Sequence, residues 1–230
     1  MTEEKQISKN MLIRAALIKY GLAFFIVGIL LFVPAGSLSY WNAWLYLASL
    51  FIPMMSVGVY LFIRDPELLA KRMKSHEREK TQKLVVIVSL AAFFPAYILP
   101  GLDFRFGWTA VPLPVVLAAC AVLLSGYALF VAVMIQNSYA SRVVEVQAGQ
   151  KIIDTGVYKL VRHPMYLAAT ILFLASPIVL GSYFALIPML IYPVMLTVRI
   201  NNEEKVLIAG LPGYKDYMKK VKYRLIPFIW

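Results

Sequence analysis

Long apolar runs separated by short polar stretches set the pattern of this chain. Leu12–Val33, Trp41–Ile63, Leu84–Leu99 and Thr109–Ile135 come first. A hydrocarbon core about 30 Å thick takes about 20 residues in helix, so each run predicts a membrane-crossing helix. Arg14 and Lys19 stand near the start of the first, where long side chains reach the head groups. Two shorter runs, Tyr166–Leu180 and Tyr183–Val198, meet at Gly181-Ser182 and predict a helical hairpin. Each has about 15 residues and covers ~22 Å. Pro177, Pro188 and Pro193 are placed to kink it. The pattern therefore predicts an all-α integral membrane protein with six crossings, five being the competing count. A basic, tyrosine-bearing amphipathic tail follows, PGYKDYMKKVKYRLIP, which suits a membrane interface.

Composition agrees with lipid as the solvent. The 230 residues are 61% apolar and only 15% charged, more apolar surface than a soluble domain of this size can bury. That balance excludes a disordered tail, a disulfide mini-protein and a repeat solenoid. Cys120 is the only cysteine, so no intramolecular disulfide forms. The apolar start shows no small-residue cleavage pattern and reads as an uncleaved first span.

Net charge is +11, from 23 Lys+Arg against 12 Asp+Glu, and its distribution is informative. Lys5, Lys9, Arg14 and Lys19 precede or open the first span. Arg64, Lys71, Arg72, Lys74, Arg78, Lys80 and Lys83 follow the second, and Arg142, Lys151, Lys159 and Arg162 follow the fourth. Lys205, Lys215, Lys219, Lys220, Lys222 and Arg224 fill the tail. The turns at 34–40 and 181–182 carry no basic residue, and 100–108 carries only Arg105. Basic loops thus alternate with neutral ones, and the positive-inside rule places both termini and both long polar loops in the cytoplasm. The charge is explained by topology and anionic lipid, not by nucleic acid.

Polar chemistry concentrates in two stretches, Gln136–Met165 and Arg199–Trp230, which the hairpin brings to one side of the membrane. In the first, an extended piece at Ile152–Ile153 runs into a turn at Asp154-Thr155-Gly156. Pro164 suits a first helical position, which puts His163 at the cap of the fifth span. Backbone N–H groups there attract an anion. His163 reads either as a hydrogen-bonded cap or as a site residue; His76, in the basic loop, reads as solvated. No His, Cys or Asp stands at metal-ligand spacing. In the second stretch Arg199 and Glu203 are four apart and share a helix face, as a surface ion pair or as a pair projecting into a pocket. Glu204 points about 100° away from Glu203 on a helix and reads as structural.

The ordered series TGVYKLVRHPMY at 155–166, about 35 mostly apolar residues, EEKVL at 203–207, GLPGYKDY at 210–217 and YRLIP at 223–227 resembles the isoprenylcysteine carboxyl methyltransferase family, to which the membrane phospholipid methyltransferases are related. The resemblance covers roughly residues 136–227. It implies a division into transmembrane helices over 1–135 and a catalytic region over 136–230. It further implies an enzyme that uses S-adenosyl methionine in a cytosol-facing pocket, without a Rossmann domain. Carried over by position, Tyr158, His163, Pro164, Met165 and Tyr166 border the cofactor. A strand-like Gln150, Lys151, Ile152 and Ile153 adds backbone contacts, and Glu145 and Glu203 add polar ones. Arg199 holds the substrate carboxylate and is the catalytic residue. The implied acceptor is a prenylcysteine-like or other lipid-linked carboxylate entering from the membrane lipids. Methylation of a phospholipid amine is the alternative among enzymes, and a transporter or scaffold the alternative outside them.

Overall fold

The computed structural model describes residues 9–73, 80–140 and 144–230. Lys5, Lys74, His76, Arg78 and Arg142, which contribute to the sequence argument, lie outside the described residues. Helix α1 spans Lys9–Ala35, α2 Trp41–Arg64, α3 Pro66–Met73, α4 Lys80–Phe106 and α5 Leu113–Gln136. A 3₁₀ turn at Gly156–Lys159 precedes α6 (Pro164–Val179), α7 (Leu186–Met189), α8 (Ile191–Gly210) and α9 (Tyr214–Lys220). No strand forms among the described residues.

Among the described residues, four helices are long and apolar enough to cross a membrane, over Leu12–Ala35, Trp41–Arg64, Val86–Phe106 and Leu113–Gln136. These correspond to the first four predicted runs. Only 6% of the apolar window in α1 is buried inside the protein. Leu17, Ile18, Phe25, Ile29 and Val33 point outward from it, a face that water would not tolerate and lipid does. The protein is an integral membrane protein.

The hairpin departs from expectation in its second arm. Instead of one helix over Tyr183–Val198, the chain makes a turn, then the single turn of α7, then a new helix that continues to Gly210. Pro193 has no N–H to donate to the Met189 carbonyl, so the ladder breaks there and restarts with Pro193 in the first turn of α8. That continuation carries Arg199 and Glu203 on one helix, as the spacing required. Gln150–Ile153 is a second departure. It has no strand partner and runs as irregular chain to Thr155, whose backbone is extended (φ −113°, ψ 168°).

The core lies where α1, α2, α4, α5 and α6 meet, around Leu31, Tyr46, Leu47, Tyr97, Leu123 and Val179. Gly101 lets α4 approach α1, since a Cβ there would stand 2.5 Å from the Leu31 carbonyl oxygen. The hairpin turn is fastened by buried polar groups. The Asp103 carboxylate accepts from Thr109 N (2.7 Å), Thr109 Oγ1 (2.6 Å) and Ser182 Oγ (2.5 Å). Asn42 Nδ2 donates to the Val179 carbonyl at 3.0 Å. With that end of α6 fixed, its other end is placed for chemistry. The short helix α3, which the apolar pattern does not reveal, packs Leu68 and Leu69 beside Val133, Met134 and Tyr158. Arg72 Nη1 at its end donates to the Ala140 carbonyl at 2.9 Å.

Candidate functional site

The site begins at the end of α5. Gln136 Oε1 accepts from Val157 N at 3.0 Å, and Asn137 Nδ2 donates to the Tyr158 hydroxyl at 2.7 Å. Gly156 makes this possible. Its φ is +54°, and a Cβ there would sit 2.1 Å from Gln136 Oε1. Gly156→Ala must therefore adopt a left-handed backbone, costing roughly 1–2 kcal/mol, and break the Gln136 bond, worth about 1 kcal/mol. The expected result is a stability loss of about 2–3 kcal/mol with weakened ligand binding. Thermal unfolding in detergent measures it, and a variant as stable as the parent would disprove this role for the turn.

The Arg162-His163-Pro164 segment is clamped by the tail. Arg162 N and His163 N donate to the Tyr223 and Arg224 carbonyls, each at 2.9 Å. Arg162 Nη1 adds bonds to the Val221 (2.7 Å) and Lys222 (2.9 Å) carbonyls. Pro164 is the first residue of α6 and His163 its N-cap by position, as the sequence indicated. The His163 side chain, however, makes no capping bond. Its Nε2 lies 3.3 Å from Glu204 Oε1 instead, which corrects the capping role.

Glu204 is the hub. It is 3% exposed, with Oε1 2.7 Å from Arg162 Nε and Oε2 2.9 Å from Arg224 Nε. Burial alone would push its pKa up. The hydrogen bonds from His163 and Arg162, with the charges of both, outweigh that and hold the carboxyl at about 2. Its structural role stands, as three elements of the chain converge on one carboxylate.

Glu203 faces the other way. Tyr166 donates its hydroxyl to Glu203 Oε2 in a very short hydrogen bond and accepts from Arg199 Nε at 2.9 Å. The His163 ring stacks on Tyr166, centroids 5.7 Å apart.

Between these groups lies a cleft of about 860 Å³, its open mouth included. Glu145, Gln150, Lys151, Ile152, Ile153, Tyr158, His163, Pro164, Met165, Tyr166 and Glu203 all line it, so every residue the resemblance assigns to the cofactor borders one cleft. Arg199 is not among the lining residues; it sits one side chain back, at the Tyr166 hydroxyl. Asn137, Tyr139, Ala140, Val144, Arg162, Val206, Leu207, Leu211, Tyr214 and Tyr217, which the motifs do not assign to the site, also line the cleft. Val206 and Leu207 were accessible through helical spacing from Glu203. Tyr214 and Tyr217, three apart on α9, carried the same signal within the tail.

The two α9 tyrosines differ. Tyr217 donates to the Tyr158 carbonyl at 2.8 Å. The Tyr214 hydroxyl is buried without a hydrogen-bond partner among the described residues. Burial, together with the Glu204 and Glu203 carboxylates, pushes its pKa up, so it remains a neutral O–H donor. No cluster of three metal-ligating side chains occurs among the described residues.

Lipid-facing helices define an integral membrane protein, and a mixed-charge cleft lies among residues of α6, α8, α9 and the segment after α5. Residues 116–209, from α5 to the end of α8, match the isoprenylcysteine carboxyl methyltransferase (ICMT) family. The family likeness read from the R-H-P and E-E motifs is thus shown over that segment. GLPGYKDY and YRLIP lie beyond the matched residues. No curated protein matches the chain.

Proposed function

We propose that the protein is an S-adenosyl methionine-dependent methyltransferase acting on the carboxylate of a prenylcysteine-like or other lipid-linked acceptor. One observation carries this reading: the eleven residues assigned to the cofactor by motif position line a single cleft.

The cleft fits such a cofactor. Ile152, Val206, Leu207 and Leu211 offer an apolar wall for a nucleobase, while Glu145 and Glu203 offer acceptors for hydroxyl or ammonium groups. The buried Tyr214 hydroxyl adds an unused donor. When bound, the cofactor supplies an activated methyl group. The chain's own contribution is to bind, align and desolvate. His163 and Glu203 hold the cofactor side. Arg199 binds the acceptor carboxylate, which is ionised at neutral pH, so no general base is needed. Tyr166, bonded to both Glu203 and Arg199, fixes their relative positions. In this reading the hairpin also crosses the membrane, giving six spans, with both termini and the cleft on the cytoplasmic side by the distribution of basic loops. The acceptor then enters from the bilayer and the cofactor from water.

Calorimetry of the full chain in detergent should show cofactor binding, and its absence would overturn the proposal. Labelled methyl transfer into prenylated thiols and membrane lipids, read by mass spectrometry, should yield a methyl ester. An N-methylated phospholipid would instead establish the amine acceptor.

A further inference from the structure

We infer that the Tyr214 hydroxyl is a cofactor-binding group that hydrogen-bonds the ribose of S-adenosyl methionine. This rests on the cofactor reading of the cleft and adds a residue that the family match, which ends at 209, does not reach.

The buried tyrosines differ in whether the hydroxyl is partnered. Each of the others among the described residues has a hydroxyl partner. Tyr40 and Tyr127 donate to the Leu180 and Leu50 carbonyls, Tyr46 and Tyr97 bond each other, Tyr158 accepts from Asn137 and Tyr217 donates to the Tyr158 carbonyl. Tyr214, at 5% exposure, has none. A buried hydroxyl without a partner is destabilising, and such groups are rare enough in folded proteins to call for a reason. Tyr214 lines the cleft, so a ligand there can supply the partner.

The surroundings select which ligand group. Glu203 and Glu204 both act electrostatically on this hydroxyl, which disfavours a ligand carboxylate beside it. An ammonium has no lone pair for the O–H. A ribose hydroxyl meets both conditions, since it can accept from Tyr214 and, being a neutral donor, is compatible with nearby carboxylates.

The test is Tyr214→Phe in the full chain, which removes only the oxygen. S-adenosyl homocysteine is the non-reacting probe, paired with its 2′,3′-dideoxyribose analogue. The expected outcome is about tenfold weaker binding of the first, the 1.4 kcal/mol equivalent of one hydrogen bond, with the analogue bound equally by parent and variant. Unfolding should occur at the same or a higher temperature in the ligand-free variant, because an unsatisfied buried group is gone; a merely structural tyrosine would give a lower one. Equal affinity for S-adenosyl homocysteine, as when an ordered water serves the hydroxyl, overturns the inference. So does a loss that persists with the dideoxy analogue. A parent protein that binds neither probe would sink the cofactor reading itself, a result distinct from either.

Discussion

Glu204→Ala is expected to remove about 3–5 kcal/mol of stability, the usual consequence of deleting one partner from a buried ionic cluster. The side chain neutralises Arg162, which is itself buried (8% exposed), and bonds Arg224 and His163. Without it, Arg162 keeps its carbonyl partners at Val221 and Lys222 but holds an uncompensated charge in a poorly hydrated site. The tail, left to the carbonyl bonds it makes with Arg162 and His163, should then pack less firmly on the R-H-P segment, loosening the cleft wall that α9 provides. The same carboxylate gives a pH signature. Its folded pKa is held at about 2 against an ordinary 4.5, so its contribution is fully present above pH 4.5 and is lost as pH falls from there toward 2. Thermal unfolding in detergent across that window should show the parent losing stability more steeply than Glu204→Gln. Parallel pH curves for the two would show that the carboxylate is not the group responsible. A Glu204→Ala protein melting with the parent would remove the hub altogether.

How far the sequence reveals this arrangement depends on the range of the forces involved. The four long spans are legible because lipid burial is written into consecutive residues. The start of α6 is legible because Pro164 is pre-organised for a first helical turn. The cofactor-assigned residues are legible through motif order, which fixes identity along the chain, and the hairpin, which returns the chain to the same end. What escapes is contact between segments. Glu204 looks structural by its angle on the helix, yet nothing local says that it gathers Arg162, His163 and Arg224 from two other segments. His163 looks like a cap because position on a helix is local, while its partner on α8 is not. The short α3 carries too few residues for its own apolar signal. The break before α8 turns on one missing N–H, at Pro193, within an otherwise apolar run.

Arg199→Ala should lower methyl transfer to a carboxylate acceptor by roughly 10²–10³-fold, the scale on which losing one oriented, charge-bearing donor acts on a reacting oxygen. Cofactor affinity should fall much less, because Arg199 does not itself line the cleft and bonds the hydroxyl of Tyr166, which does. This split separates the proposed clamp from a structural role. If Arg199 merely positioned Tyr166 and Glu203, its removal would weaken cofactor binding and turnover together. Tyr166→Phe supplies the converse. It keeps the guanidinium but removes the hydroxyl bonded to Glu203, so cofactor affinity should fall more than in Arg199→Ala. Arg199→Lys should recover only part of the rate, since an ammonium restores charge without the planar fork that grips a carboxylate and holds Tyr166. The measurement is kcat/KM for a prenylated carboxylate alongside calorimetric cofactor affinity, on each variant. Full activity in Arg199→Ala, or an equal fall in both quantities, would rule the clamp out and shift the search for the acceptor's counter-charge to another cation near the cleft.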